Sequence, residues 1–306
     1  MEVTASTYHI PALLTETIDL LDIKPDGIYV DATFGGGGHS REILKHLGPE
    51  GHLYGFDQDL DARQNIPEDP RFTFVHSNFR FIRNFLKFYG HLHIDGILAD
   101  LGVSFHHFDT PDRGFSFRNE APLDMRMNQK SSVSAREILA DYTEQDLTAL
   151  LREHTDINNP GRIARQICSA RRENPIVTTT QMAEIVRPLL NPNAFKKELA
   201  QVFQALRITA NDEMGALKDL LSQSLTVLKP GGRFAVLTYH SGEDRLVKNF
   251  FKTGDFGKED NQDMIYGTRK SPWKLLTKTP LTASAAEVEH NPRSRSAKLR
   301  VAQLKK

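Results

Sequence analysis

A chain of 306 residues can bury a large core, as one large domain or two smaller ones, and its 39 Lys+Arg balance 39 Asp+Glu, so nucleic acid is bound through local patches or not at all. The single cysteine, Cys168, excludes an intrachain disulfide framework and the usual zinc-ribbon spacings, so no metal site is expected. With no apolar run long enough to span a bilayer and no signal-peptide pattern, the sequence predicts a soluble cytoplasmic protein that engages no membrane.

The first expected element is a helix over Tyr8–Leu21, with Leu13, Leu14, Ile18 and Leu21 on one face. Lys24-Pro-Asp-Gly27 is turn chemistry and delivers a strand at Ile28–Thr33. Strands recur at His52–Asp57, Arg71–Ser77 and Ile94–Leu101, with helical or looped stretches between. Such alternation predicts an α/β fold with a parallel sheet and crossover helices. From Thr110 to Leu199 no buried strand is expected. Arg113–Met127 reads as irregular, and the helical stretches after it are broken by Asn158-Asn-Pro-Gly161, Asn174-Pro175 and Asn191-Pro192. The chain therefore divides into a first part of the α/β domain (1–110), a helical insertion (111–199) and a second part (200–306). Lys196–Leu228 is regular and helical, Pro230-Gly-Gly232 ends it, and strands follow at Arg233–Tyr239 and Ala297–Leu304.

Val30-Asp-Ala-Thr-Phe-Gly-Gly-Gly-Gly-His-Ser40 joins the first strand to a helix beginning near Arg41. Four glycines at a strand-to-helix turn let the backbone come close to a ligand, and the helix points its free N–H groups there. Asp57, 26 residues after Asp31, ends the second strand, where a doubly wound domain bonds ribose hydroxyls; the alternative is an ordinary helix cap. Asp100, Gly102 and Ser104 follow at the carboxyl end of the fourth strand. Ligands of open α/β sheets lie outside the carboxyl ends, so the loop, Asp57, Phe79 and Asp100 should converge on one crevice. Phe79 there packs against a purine or into the core. A dinucleotide or S-adenosylmethionine suits this crevice. Ser40 stands where the dinucleotide fingerprint wants a glycine or alanine, and the late helix, Pro-Gly-Gly turn and strand favour the methyl donor.

Methylation of a pyrimidine ring carbon normally needs a cysteine adduct, and Cys168 lies in the insertion, where a structural role is expected. Direct transfer to an amino nitrogen or hydroxyl needs in-line positioning and acceptors for developing positive charge, which Asp100 and the Leu101–Ser104 backbone can supply. In Tyr239-His-Ser-Gly-Glu-Asp-Arg245, Ser241 is expected to cap the next helix with Asp244 as its reciprocal partner. His240 and Glu243 then lie on the crevice side. Arg162, Arg165 and Arg172 share one side of a predicted helix. His290–Lys306 holds six Lys/Arg, Arg293, Arg295, Lys298 and Arg300 among them, and no acid. Such stripes suit RNA phosphates or are solvated faces.

Together these strings are similar to the bacterial 16S rRNA cytosine-N4 methyltransferase family (RsmH/MraW type). The resemblance rests on His9-Ile-Pro-Ala-Leu-Leu14, the Tyr29–Ser40 loop, Asp95-Gly-Ile-Leu-Ala-Asp-Leu-Gly-Val-Ser104 and Arg113-Gly-Phe-Ser-Phe117. Pro122-Leu-Asp-Met-Arg-Met127, Phe203-Gln-Ala-Leu-Arg-Ile208 and Asn291–Arg300 extend it nearly end to end. It implies a class I S-adenosylmethionine-dependent methyltransferase, a Rossmann-like, mostly parallel sheet with a late antiparallel strand and a helical insertion domain. The implied partner is 16S rRNA in the small ribosomal subunit, with a homodimer left open. The implied cofactor contacts are Gly37, Gly38, His39, Asp57, Phe79, Asp100 and, where the family carries glutamine, His107. Asp100, Ser104 and His240 would handle the cytosine amine, extruded into a pocket lined by Phe105 or Phe115. Arg113, Arg162, Arg165, Arg172, Arg293 and Arg295 would contact RNA. The chain departs from the family pattern at Ser104–His107, at His154–Ile157 and at Gly242, where leucine is usual. The alternatives are a non-catalytic RNA-binding or assembly factor on the same fold and, more remotely, a nicotinamide dehydrogenase.

Overall fold

The computed structural model describes residues 11–103, 107, 108, 110–256 and 271–306. The chain forms two compact units, one made of the segments up to Gly102 and from Gly215 onward, the other of Val103–Met214.

The first unit is built on one eight-stranded sheet. Its strands are β1 (Ile28–Asp31), β2 (His52–Asp57), β3 (Phe72–His76), β4 (Ile94–Asp100), β5 (Leu228–Thr238), β6 (Trp273–Leu275), β7 (Leu281–Thr282) and β8 (Lys298–Leu304). The order is β3-β2-β1-β4-β5-β8-β6, with β7 also pairing with β8. β3 through β5 pair in parallel, and β8 runs antiparallel to both β5 and β6. This is a Rossmann-type order with a late antiparallel strand slipped in beside the fifth. Strands covered on both faces read as continuous apolar runs. In β4, Ile94, Ile97, Leu98 and Ala99 are all fully buried. Alternate residues serve opposite faces: Tyr29, Leu53, Leu98 and Leu237 join one core, Val30, Phe56, Ile97 and Val236 the other. The β5 strand starts at Leu228, earlier than Arg233, and carries the Pro230-Gly-Gly232 turn as an irregularity opposite Ile94–Gly96. The short strands β6 and β7 were not expected from the sequence.

Among the described residues the helices begin with α1 (Leu14–Leu21), α2 (Gly38–His46) and α3 (Ile82–Phe88) in the first unit. The second unit holds α4 (Ala135–Asp141), α5 (Glu144–His154), α6 (Pro160–Glu173), α7 (Thr179–Val186) and α8 (Phe195–Ala210). Then α9 (Glu213–Val227) leads back to the first unit, followed by α10 (Ser241–Thr253) and α11 (Ala285–His290). Tyr8–Ile10 of the expected first helix lie outside the described residues.

Reciprocal caps start three of the second unit's helices: Ser134 with Glu137, Thr143 with Asp146, Thr178 with Gln181. Their apolar faces meet in a core holding Ile138, Leu151, Ile163, Cys168, Met182 and Phe203. Leu199, Val202 and Leu206 of α8 are buried in that core too, so the unit runs past 199, where composition alone placed the end of the insertion. The Gly114–Met127 stretch is irregular yet pinned. Asn211 donates to the Met125 carbonyl (2.7 Å) and accepts from Met127 N–H (2.7 Å), and Arg126 forks onto Asp124.

Candidate active site

Parallel pairing brings the carboxyl ends of β2, β1, β4 and β5 to one edge of the sheet. Past β1 the chain stays paired: Ala32 N–H donates to the Leu98 carbonyl (2.8 Å) and Phe34 N–H to that of Phe56 (2.8 Å). The glycine loop then turns into α2. Gly37 has φ +71°, the left-handed region that favours glycine, and a Cβ there would meet the Phe34 ring at 2.9 Å. At Gly38 a Cβ would collide with the Pro11 ring.

Behind the loop, buried Asp31 accepts from the Ser40 hydroxyl (2.6 Å) and Thr33 N–H (3.1 Å). Burial outweighs these bonds and raises its pKa to about 6. Ser40 thus ties the first turn of α2 back to β1. Asp57 at the end of β2 accepts from Gly35 N–H (2.8 Å) and Asp59 N–H (2.8 Å), so it holds the glycine loop itself. Phe79 opens a single 3-10 turn after β3, capped by Asn78, and is half-buried against the core.

Asp100 closes β4 in a strongly perturbed environment. Its N–H donates to Thr33 Oγ1 (2.6 Å), its Oδ1 accepts from the Tyr239 hydroxyl (2.7 Å), and its Oδ2 lies 3.7 Å from His39 Nδ1. Burial pushes its pKa up to about 7; the Tyr239 bond opposes the rise, and the charges of Asp31 and Glu243 add to it. Burial lowers His39 to about 4, against a hydrogen bond with the Ala12 backbone, so its ring is neutral near pH 7. Among the described residues, therefore, no formal cation pairs with Asp100. The arrangement is an acceptor site, held by a tyrosine and partly open to solvent, that ionises near neutrality.

His240 has a structural part that was not expected. It, and not Ser241, is the N-cap of α10: its side chain accepts from Glu243 N–H (3.4 Å), and Glu243 accepts from Tyr239 N–H (2.9 Å). Nε2 of His240 lies 3.1 Å from Glu243 Oε1 but is buried without a hydrogen bond. Asp244, expected in the capping box, instead bonds Arg300 (2.6 Å) and lies 3.5 Å from Lys298.

The chain matches the family model described as the MraW methylase family over residues 6–305. It belongs to that family. Three relatives carry the name ribosomal RNA small subunit methyltransferase H. One from Parabacteroides distasonis is 54% identical over 304 residues, 99% of each chain. One from Phocaeicola vulgatus is 52% identical over 296 residues, 97% of each chain. One from Flavobacterium johnsoniae is 51% identical over 300 residues, 98% of this chain and 99% of the relative. With the observed sheet order, membership makes the first unit a class I methyltransferase fold.

The six cofactor positions expected in the first unit, Gly37, Gly38, His39, Asp57, Phe79 and Asp100, all follow or flank carboxyl ends of its strands. His107 belongs to the second unit, where it is buried with its ring 4.7 Å from that of Phe115. Ser104 and Phe105 lie outside the described residues. Among the arginines, Arg162, Arg165, Arg172, Arg293 and Arg295 are exposed, Arg165 beside Glu144 at 3.2 Å. Arg113 is not: it is buried, its guanidinium donating to the Arg126 and Met127 carbonyls (3.0 and 3.1 Å). That burial corrects the surface RNA contact expected of it, and Arg300, buried on Asp244, likewise leaves the carboxyl-terminal basic stripe. Residue-level inspection of the sequence missed Tyr239, Thr33 and Asp31. Register was the usable signal for Tyr239, since it follows the strand that pairs Leu237 with Asp100.

Proposed function

We propose that this chain methylates the exocyclic N4 of a cytidine in the decoding region of small-subunit rRNA, in the cytoplasm, with S-adenosylmethionine as donor. The end-to-end family match, with relatives above half identity named for small-subunit rRNA methylation, is the observation that carries it. No described helix is long and apolar enough to cross a membrane. The residues of the sheet edge fit the cofactor: Asp100 is a part-exposed acid with no formal cation beside it among the described residues, as a sulfonium requires, and the glycine loop turns through the left-handed region at Gly37 on the same edge.

Gly37, Gly38 and His39 would hold the amino-acid end, Asp57 the ribose hydroxyls and Phe79 the adenine. When bound, the cofactor supplies an electrophilic methyl group. The protein's part is position and charge. Asp100 accepts a hydrogen bond from the target amine and takes the proton the amine gives up; a carboxyl ionising near pH 7 is matched to that task. Tyr239 fixes which way the carboxylate points. His240 serves through Nδ1, which caps the start of α10 at the same strand edge. Exposed Arg162, Arg165, Arg172, Arg293 and Arg295 supply phosphate contacts. The test is mass analysis of small-subunit rRNA from a strain lacking the gene. The N4 methyl on the decoding-region cytidine should vanish, return with the wild-type gene and stay absent with Asp100→Ala. An unchanged cytidine in the deletion strain overturns the assignment.

A further inference from the structure

Far from the glycine loop in sequence, α3 presents an unusual surface. Phe88 is 80% exposed, Phe81 48% and Tyr89 37%, where a helix packed on a sheet normally turns polar groups to water. These rings are organised. Phe88 meets Tyr89 edge to face (5.1 Å between centroids), and Tyr89 stacks on Tyr54 of β2 (5.1 Å, 30° between planes). Tyr54 is in turn fixed by its hydroxyl, 2.6 Å from His91 Nδ1. The result is an aromatic ladder anchored in the sheet and open to solvent at Phe88.

The same stretch of chain carries cations. Residues 78–93 contain Arg80, Arg83 and Lys87 and no acid. Arg80 is taken by Asp219 (2.6 Å), but among the described residues Arg83 and Lys87 form no ion pair, and both are exposed. At 100° per residue, Arg83 and Lys87 (i, i+4) form one row and Phe81 and Phe88 (i, i+7) a second about 130° round the helix, with Asn84 between them, so that the two rows flank the exposed side. Apolar docking of a protein helix would not call for an acid-free cationic row. Planar rings with cations alongside are what single-stranded nucleic acid uses: bases stack on the rings while phosphates meet the charges.

We propose that this face of α3 is an auxiliary binding surface for single-stranded RNA, which stacks a base on Phe88 and Tyr89 and sets phosphates against Arg83 and Lys87. It rests on the reading of the chain as an rRNA methyltransferase, and it adds to that reading a second place where the substrate strand is held. The test uses the full chain and a fluorescent single-stranded oligonucleotide copying the decoding region. Binding is followed by anisotropy over a range of salt, and S-adenosylhomocysteine binding by calorimetry serves as the control for an intact fold. Phe88→Ala/Tyr89→Ala should weaken RNA binding by about tenfold, the loss expected for one stacked base. Arg83→Ala/Lys87→Ala should weaken it too and flatten the log–log salt slope by about 1.4, the share of two phosphates on a single strand. Both variants should keep wild-type calorimetry. RNA affinity within twofold of wild type in both variants overturns the proposal while leaving the enzymatic reading intact. So does a variant that loses only self-association, which would make the ladder a contact between copies. A wild-type chain that binds the cofactor product and no RNA contradicts both.

Discussion

At the scale of single residues, the chemistry gathers on Asp100. Its folded pKa of about 7 lies above the roughly 3.9 of a free aspartate, so between those values the folded chain holds a proton that the unfolded chain does not. The stability linked to that proton is complete below about pH 4 and is lost as pH rises through 7. Asp31, raised to about 6, adds in the same direction. Asp100→Asn removes its share, so its melting temperature relative to wild type should be higher at pH 8 than at pH 5; a constant difference would contradict the linkage. Turnover has the opposite slope, since the ionised carboxylate is the acceptor. Single-turnover rates should rise with an apparent pKa near 7. Because the Tyr239 hydroxyl favours the ionised form, Tyr239→Phe should move that pKa upward by about one unit. An unmoved profile would separate Tyr239 from the acid. Gly38 makes a steric prediction: alanine there must displace Pro11 and should cost about 1–3 kcal/mol by thermal or urea melting.

At the scale of elements, the strands that carry the site were legible because parallel, doubly covered strands leave near-continuous apolar runs. Ile28–Asp31, His52–Asp57 and Ile94–Asp100 fall where Ile-Tyr-Val, Leu-Tyr-Gly-Phe and Ile-Leu-Ala point to them. β6 and β7, of three and two residues, are too short to show a period and exist because β8 offers them an edge. The start of α10 was off by one residue for a chemical reason. Serine is the commoner cap, yet here the imidazole takes the Glu243 N–H while Asp244 is drawn away by Arg300. This yields a discriminating pair. His240→Asn, a good cap, should keep both melting temperature and methylation, whereas His240→Ala should lose about 1 kcal/mol of stability. Asparagine that abolishes turnover in a fully folded enzyme would restore a direct chemical role to the imidazole. The site's polar wiring was less legible than its strands. Tyr239–Asp100 and Asp57–Gly35 link segments up to 139 residues apart that strand register brings together, while Ser40–Asp31 closes across the glycine loop.

For the molecule as a whole, a methyltransferase sheet and a helical unit are encoded in one chain whose charges cancel overall. Neutrality confines any polyanion contact to local groups, and the structure sorts the basic residues into two kinds. Arg113 and Arg300 are buried and hold the fold, while Arg162, Arg172 and Arg293 are exposed. The central claim is that the chain methylates an exocyclic cytosine nitrogen using Asp100. It is tested most directly by nucleoside mass analysis of small-subunit rRNA incubated with the purified chain and S-adenosylmethionine. N4-methylcytidine should form at one decoding-region position, with none formed by Asp100→Ala that melts normally. A methyl group on a ring carbon, or an Asp100→Ala enzyme that turns over at the wild-type rate, would contradict it.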